Sequence, residues 1–265
     1  MTETLATAPS VPDATDRDAA VVWHRRHLRV EDHPAVARAT DEYDVVCPLF
    51  VFDPRFYGDD ALACDARLRF LHECLDDLGD QYERRDTGLV FAHGDPLTVL
   101  GRVLDAGWDV LATVDPGGRY GRERDARADD RGVTFIDGDD GLRHGGGDTR
   151  DGWADHVESY FEGTPSSPAE SGFGGHDVSS PVTVAAVERA HGVDPSKESV
   201  PVGGRKPALA RMERFLDRIA EYPGSISAPA EAKTGTSRLS PYLRFGCLSV
   251  REVYRALERE TPGGR

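Results

Sequence analysis

Thr236, Ser237 and Arg238 set two hydroxyls and a guanidinium side by side, and Ser240-Pro241 reads as a helix start with Ser240 as cap and Pro241 at the first position. Such a start favours anions. Its unpaired N–H groups and the positive end of the helix dipole face a ligand, and a guanidinium adds a charge-assisted contact. The chemistry these residues could do is to hold phosphate, although Ser-Pro caps also open helices that bind nothing. Other candidates are thinner. His24 and His27 have a spacing a metal could use, but they straddle the end of an apolar run and no third ligand is evident. Asp32, Asp115 and Asp137 stand at expected strand ends, in a chain where Asp is abundant. No Gly-Xaa-Ser-Xaa-Gly elbow is present to serve a hydrolase.

The elements that must position these residues follow from periodicity. Between Ala20 and Asp137 short apolar runs alternate with amphipathic stretches, the trace of strand–helix units around a parallel sheet. Strands are expected near Ala20–Trp23, Val45–Phe52, Leu89–Ala92, Val110–Val114 and Val133–Ile136. Helices are expected over Pro34–Asp41, Asp65–Arg84, Pro96–Ala106 and Gly121–Asp130. The second is the clearest, with Leu68, Leu71, Leu75, Leu78 and Tyr82 at three- and four-residue spacing. The fold class is therefore α/β, a doubly wound parallel five-stranded sheet whose ligands would sit beyond the carboxyl ends of its strands. Arg25, Arg26 and Arg29 fill the loop after the first strand, where a standard dinucleotide site would need Gly-Xaa-Gly-Xaa-Xaa-Gly.

Composition divides the rest. Residues 1–19 read as a disordered tail and 20–138 as the α/β domain. Residues 139–204, rich in Gly, Ser, Pro and Asp, read as a linker with one or two short helices, one near Trp153–Phe161. From 205 to 265 helical periodicity returns, with Leu209, Met212, Phe215, Leu216 and Ile219 on one face and further helices over Ser240–Phe245 and Ser249–Glu260.

The 265 residues carry 47 Asp and Glu against 32 Lys and Arg, a net charge of -15, and only Lys197, Lys206 and Lys233 are lysines. An acidic, Lys-poor surface suits a salt-loving host and repels nucleic acid unless Arg gathers on one face. Strong salt shortens that repulsion, so a DNA substrate stays open. Cys47, Cys64, Cys74 and Cys247 show no metal-like spacing, and neither a membrane span nor a signal peptide is evident. A reduced cytoplasm is the expected setting.

The string Thr236-Ser237-Arg238-Leu239-Ser240-Pro241-Tyr242-Leu243-Arg244-Phe245-Gly246 resembles the flavin-diphosphate segment of the photolyase and cryptochrome family, Thr-Ser-Xaa-Leu-Ser-Pro-Tyr-Leu-Xaa-Phe-Gly. The family's following Ser-Xaa-Arg corresponds to Ser249 and Arg251. Val22-Trp23-His24-Arg25-Arg26-His27-Leu28-Arg29-Val30-Glu31-Asp32-His33-Pro34-Ala35 likewise resembles its opening, Trp-Phe-Arg-Arg-Asp-Leu-Arg-Leu-Xaa-Asp-Asn-Pro-Ala. Arg122-Glu123-Arg124-Asp125 matches too, while Pro116-Gly117-Gly118 departs from the pattern.

This resemblance implies FAD bound by Tyr222, Thr236, Ser237, Arg238, Leu239 and Ser240, with Tyr222 at a stretched spacing and followed at once by Pro223. It implies an antenna folate or deazaflavin in the α/β domain, and a structural role for Arg25, Arg26 and Arg29 in pairing with carboxylates, for which Asp32 and Asp53 are candidates. The implied activity is that of a deoxyribodipyrimidine photolyase, a carbon–carbon lyase. Reduced FAD, driven by light, donates an electron to a pyrimidine dimer flipped out of damaged DNA. The likeness covers the family's first domain, its linker and the opening of an incomplete helical FAD domain, roughly half of a member. It leaves the catalytic residues unknown. The chain is thus expected to be a fragment, or one half of a split protein whose second chain supplies the remaining helices. The alternative is a non-catalytic, cryptochrome-like remnant that holds a chromophore or a protein partner.

Overall fold

Two apolar runs set the middle of the sheet. Ala19–His24 (β1) and Val45–Phe52 (β2) are buried at every position, as strands covered on both faces must be. Val90–His93 (β3), Asp109–Thr113 (β4) and Thr134–Ile136 (β5) complete a parallel sheet in the order β3-β2-β1-β4-β5. Trp23 lies opposite Leu49, and Ala112 opposite Phe135. Pro48 sits inside β2 opposite Val22 although it donates no ladder hydrogen bond, so burial outweighs strand propensity there. These facts come from a computed structural model that describes residues 8–14, 17–58, 61–114, 118–138, 152–169, 172–194, 200–225 and 235–260.

Helices Pro34–Glu42 (α1), Asp65–Glu83 (α2), Pro96–Asp105 (α3) and Arg119–Asp129 (α4) follow the first four strands. Their starts are chemically marked: His33 Nδ1 accepts from the Val36 N–H at 3.2 Å, and Asp95 accepts from the Thr98 N–H at 3.0 Å. Beyond the sheet come Trp153–Glu162 (α5), Val184–His191 (α6), Arg205–Leu216 (α7), Ser240–Phe245 (α8) and Val250–Glu260 (α9). Short 3₁₀ turns cover Pro54–Phe56 and Ile219–Ser225. Ile219, expected on the α7 face, thus falls after that helix has ended.

One face of the sheet packs Val21, Trp23 and Leu49 against Leu100, Val103 and Ala128 of α3 and α4. The other packs Val22, Phe50 and Phe52 against Leu75 and Leu78 of α2, and the same apolar cluster continues into Met212, Tyr242, Leu248 and Ala256. The last three helices therefore share a core with the sheet.

The expected tail over 1–19 needs correcting for its described part. Ser10 bridges Ser179, the Trp108 indole N–H donates to the Pro12 carbonyl at 2.7 Å, and Val11 and Ala14 pack on the second cluster. Buried contacts win over polar composition there. Residues 1–7 lie outside the described set, as do 139–151.

Candidate functional site

The opening loop and the Ser-Pro helix form one unit. Arg26 Nε donates to the Arg244 carbonyl at 2.7 Å, the Leu28 N–H to the Phe245 carbonyl at 3.0 Å, and Arg29 Nη1 to the Gly246 carbonyl at 3.0 Å. A helix leaves its last carbonyls without internal partners, and cations are favoured at that end of its dipole. Three donors from one loop satisfy three consecutive carbonyls at the end of α8. Gly246 closes the helix at φ +69°, and a Cβ there would stand 2.4 Å from the His27 Cα, so both conformation and space demand glycine.

Arg29 is fully buried. Besides Gly246 it donates to the main-chain carbonyls of Glu31 and Asp32. The carboxylate of Asp32 goes elsewhere, accepting from Arg251 Nη1 at 2.7 Å and from the Ser166 N–H at 2.9 Å. Arg251 also donates to the Tyr160 carbonyl and stacks 4.3 Å over the Tyr160 ring. Arg25 pairs with Asp125 and with the Thr113 carbonyl. Asp53 instead accepts from the Arg55 N–H and the Tyr120 hydroxyl. The expected partners Asp32 and Asp53 are thereby corrected: Arg29 bonds the main-chain carbonyl of Asp32 while that residue's carboxylate goes to Arg251, and Asp125, from the matched Arg-Glu-Arg-Asp string, takes Arg25.

At its other end α8 meets the predicted phosphate turn. Thr236 and Ser237 are half-buried, Arg238 and Ser240 are exposed, and Leu239 is buried in the core. Arg238 adopts φ +56°, a left-handed conformation that is costly for a side chain of this kind. Ser240 is the first helical residue and does not act as the cap. Leu239 occupies the cap position, with no side-chain cap bond, and Ser237 Oγ accepts from the Leu239 N–H at 3.4 Å. The hydroxyl of Ser240 is left at the surface. Tyr222, 37% exposed, lies edge-to-face on Phe215 at 5.3 Å. Residues 226–234, between Tyr222 and the turn, lie outside the described set.

A second feature opens at the carboxyl ends of β1 and β2, beside the start of α4, where the sheet reverses its winding direction. It is a cavity of about 330 Å³ walled by Trp23, Phe50, Phe52, Phe56, Tyr57 and Tyr120. Arg25 and Arg124 stand 4.9 Å from the Trp23 ring, and Arg26, Arg67, Arg119 and Arg244 also reach the walls. Arg244 and Phe245 line it as well, so α8 links this wall to the exposed turn. Such a site suits a flat, apolar ring system with an anionic edge. Burial and the bond to Asp53 push the Tyr120 phenol up to about 12, so it is a neutral donor at ordinary pH. The sequence pattern marks strand ends but not which aromatics converge there; Tyr120 and Arg124, beside the matched string, were the available signal.

His24, His27 and His33 come together beneath the loop, all buried. The His33 ring lies 4.9 Å from that of His24 and 5.9 Å from that of His27, and His24 Nε2 bonds the Tyr82 hydroxyl at 2.6 Å. Burial, with His27 and Arg29 nearby, lowers the His24 pKa to about 3, and His33 is held well below its usual value for the same reasons. Among the described residues no three His, Cys, Asp or Glu groups are arranged to hold a metal. Of the acid–base candidates, Asp32 is engaged as above, Asp137 is exposed, and Asp115 lies outside the described residues. Among the described residues no helix is long and apolar enough to cross a membrane.

Known proteins resemble this chain in sequence and fold. Cryptochrome-1 of Rattus norvegicus is 28% identical over 268 residues, covering 89% of this chain and 45% of the rat protein. The deoxyribodipyrimidine photo-lyase of Synechococcus sp. is 29% identical over 261 residues, 88% of this chain and 52% of that protein. The chain thus spans about half the length of the curated relatives it matches. Among solved structures, a bacterial class III photolyase from Agrobacterium tumefaciens has the same fold, with a TM-score of 0.69 at 23% identity over 99% of this chain and 55% of that one. An archaeal photolyase from Sulfolobus tokodaii, solved with two FAD molecules, gives 0.62 at 20% identity over 93% and 55%. With residues 20–154, half of its length, matching the model of the DNA photolyase family, this chain belongs to that family.

Proposed function

We propose that this chain carries the chromophore cavity and the flavin-diphosphate turn of a light-driven, FAD-dependent protein that repairs pyrimidine dimers in DNA. It would work as a deoxyribodipyrimidine photolyase, either as part of a longer chain or with a second chain supplying further helices. The supporting observation is the joint: the opening loop holds the end of the short helix whose other end carries exposed Arg238 and Ser240 beside half-buried Thr236 and Ser237. That donor set suits a pyrophosphate, since it offers three hydroxyls and a guanidinium with no carboxylate between 235 and 240. Thr236, Ser237, Arg238 and Ser240 would hold the diphosphate, buried Leu239 would anchor the turn, and Tyr222 would border the flavin. When bound, reduced flavin supplies the electron that splits the dimer.

In this reading residues 20–138 form the α/β domain, 139–204 the connection and 205–265 the start of the helical flavin domain. The cavity would take an antenna, a folate or a deazaflavin. Its volume of about 330 Å³ admits one fused ring system but no whole dinucleotide. Damaged DNA would be the substrate in a salt-rich cytoplasm, where screening tempers the repulsion from a chain of net charge -15.

Titrating the protein with FAD tests the turn, because Arg238→Ala should weaken binding by roughly tenfold through loss of a charge-assisted contact. Equal affinity would remove Arg238 from the site. Blue-light illumination of the flavin-loaded protein with an oligonucleotide bearing a cyclobutane dimer should restore the two pyrimidines. Cryptochrome-1 matches as well as the photo-lyase does, which supports a signalling reading. Flavin that responds to light while the dimer stays intact would select that one.

A further inference from the structure

A chain of hydrogen bonds leads away from the cavity at Tyr57. The Tyr57 hydroxyl pairs with His72 Nε2 at 2.9 Å, and His72 Nδ1 pairs with Glu188 Oε1 at 2.8 Å. Three elements meet here: the end of the 3₁₀ turn after β2, helix α2 and helix α6. The Tyr57 ring borders the cavity and is 8% exposed, whereas His72, 1% exposed, lies off its wall. The carboxylate of Glu188 makes Nδ1 the protonated nitrogen, so Nε2 turns its lone pair to the phenol, as the acid of a Ser-His-Asp triad orients its imidazole. A ring faces the ligand space and its proton faces a base on the far side.

We propose that Tyr57, His72 and Glu188 form an electron-donating relay for a light-absorbing aromatic ligand in this cavity, an inference that rests on reading the cavity as a chromophore site. The electron acceptor is a photo-excited, oxidised isoalloxazine-type ring. One electron leaves the Tyr57 phenol for that ring, the O–H bond breaks, and the proton forms an N–H bond at His72 Nε2. Tyr57 is left a neutral phenoxyl radical, His72 an imidazolium paired with Glu188, and the ligand holds the electron. In the dark the electron and the proton both return, so the cycle is closed.

The cavity offers two other oxidisable rings, and their surroundings disfavour both. Arg25 and Arg124 each stand 4.9 Å from the Trp23 ring and share the single carboxylate of Asp125, so a radical cation there would form beside a group of net positive charge. Tyr120 has Arg55 and Arg124 over its ring at 5.3 and 5.8 Å, and its hydroxyl donates to the carboxylate of Asp53. An imidazole is a stronger base than a carboxylate by roughly two to three pKa units in their ordinary values, so His72 is the better acceptor for a departing proton. Burial, with Glu188 and Asp53 nearby, raises the Tyr57 phenol far above its ordinary value. The electron therefore leaves only if the proton has somewhere to go.

The probe is FMN bound to the full 265-residue chain, with binding read by fluorescence anisotropy. In the unmodified protein the excited-state lifetime of bound FMN should be shortened, with a solvent isotope effect, and anaerobic illumination should give a phenoxyl signal by electron paramagnetic resonance. Tyr57→Phe should restore the lifetime and abolish the signal. His72→Gln, which keeps the ring in place, should slow quenching several-fold and remove the isotope effect, and Glu188→Gln should give an intermediate rate. Bound FMN with the same lifetime in the unmodified protein and in Tyr57→Phe overturns the relay. If FMN does not bind, the chromophore reading fails for this ligand class, and a ruthenium polypyridyl photo-oxidant tethered at Cys64 decides the relay. Cys64 is exposed next to the cavity-lining Leu62 and Ala63, and the other three cysteines are buried. A phenoxyl signal that Tyr57→Phe removes supports the relay; no signal, or an equal one in that variant, overturns it.

Discussion

Two arginine-bearing segments meet at the two ends of α8 and spend their charge in opposite ways. In the loop after β1, Arg29 is wholly buried and its guanidinium is committed to the carbonyls of Glu31, Asp32 and Gly246. In the turn before α8, Arg238 is exposed and its backbone is held left-handed. A buried cation with every bond inside the protein is structural, because any ligand would have to replace contacts already made. An exposed one on a strained turn leaves its donors to whatever arrives. Residue type thus says little by itself; the partner that each group already holds decides its use.

The sharpest way to break the loop side is acid. The His24 pKa is lowered to about 3 from 6.5, and that of His33 is lowered as well, so both rings stay neutral in the fold while they protonate in the unfolded chain. Stability attributable to them is complete above pH 6.5 and is lost as pH falls from there toward 3. His24 alone accounts for about 5 kcal/mol at the acid end. Urea melts at stepped pH should show this slope. His24→Phe, the residue the family's opening motif has at that position, should flatten it at the cost of the Tyr82 hydrogen bond. An unchanged slope in that variant would place the acid sensitivity elsewhere.

Arg29→Ala comes next. It orphans the buried carbonyls of Asp32 and Gly246 and the part-buried one of Glu31 and opens the joint between the loop and α8, with an expected loss of about 3 kcal/mol by chemical denaturation. A loss below 1 kcal/mol, with unaltered protease sensitivity around residue 246, would mean that water replaces the guanidinium at little cost.

The sheet was legible because its signal is periodic and local. All five strands begin within one residue of the expected positions, since runs such as Val45–Phe52 must be buried on both faces. Helix α8 spans the residues expected from Ser-Pro and the closing glycine. What local pattern cannot carry is which distant groups meet. Arg25 finds Asp125 and Asp32 finds Arg251, pairings 100 and 219 residues apart that depend on how strands and helices stack. The convergence of Tyr57, His72 and Glu188 is of the same kind, because each belongs to a different element. The misplaced cap at Ser240 was a local error: with Leu239 drawn into the core at the cap position, the helix begins one residue earlier than a Ser240 cap would set it.

Asp32→Asn tests a smaller link between the same two regions. The Arg251 pair is 13% and 9% exposed at its side chains, so screening is slight but the charge is replaced by a neutral acceptor of the same shape. A loss of about 1–2 kcal/mol is expected, and it should not add to that of Arg251→Gln, because each change removes the same bond. Full additivity would show that the two side chains act separately.

The smallest effect on the fold should come from the other segment. Arg238→Ala replaces an exposed side chain, so stability should stay within about 0.5 kcal/mol, and Arg238→Gly, which relieves the left-handed strain, should stabilise by up to about 1 kcal/mol. Both should nonetheless weaken FAD binding, since the guanidinium is gone in each. A turn that gains stability while losing affinity is what strain kept for a ligand predicts; a turn that loses both would mean that Arg238, like Arg29, is spent on the fold.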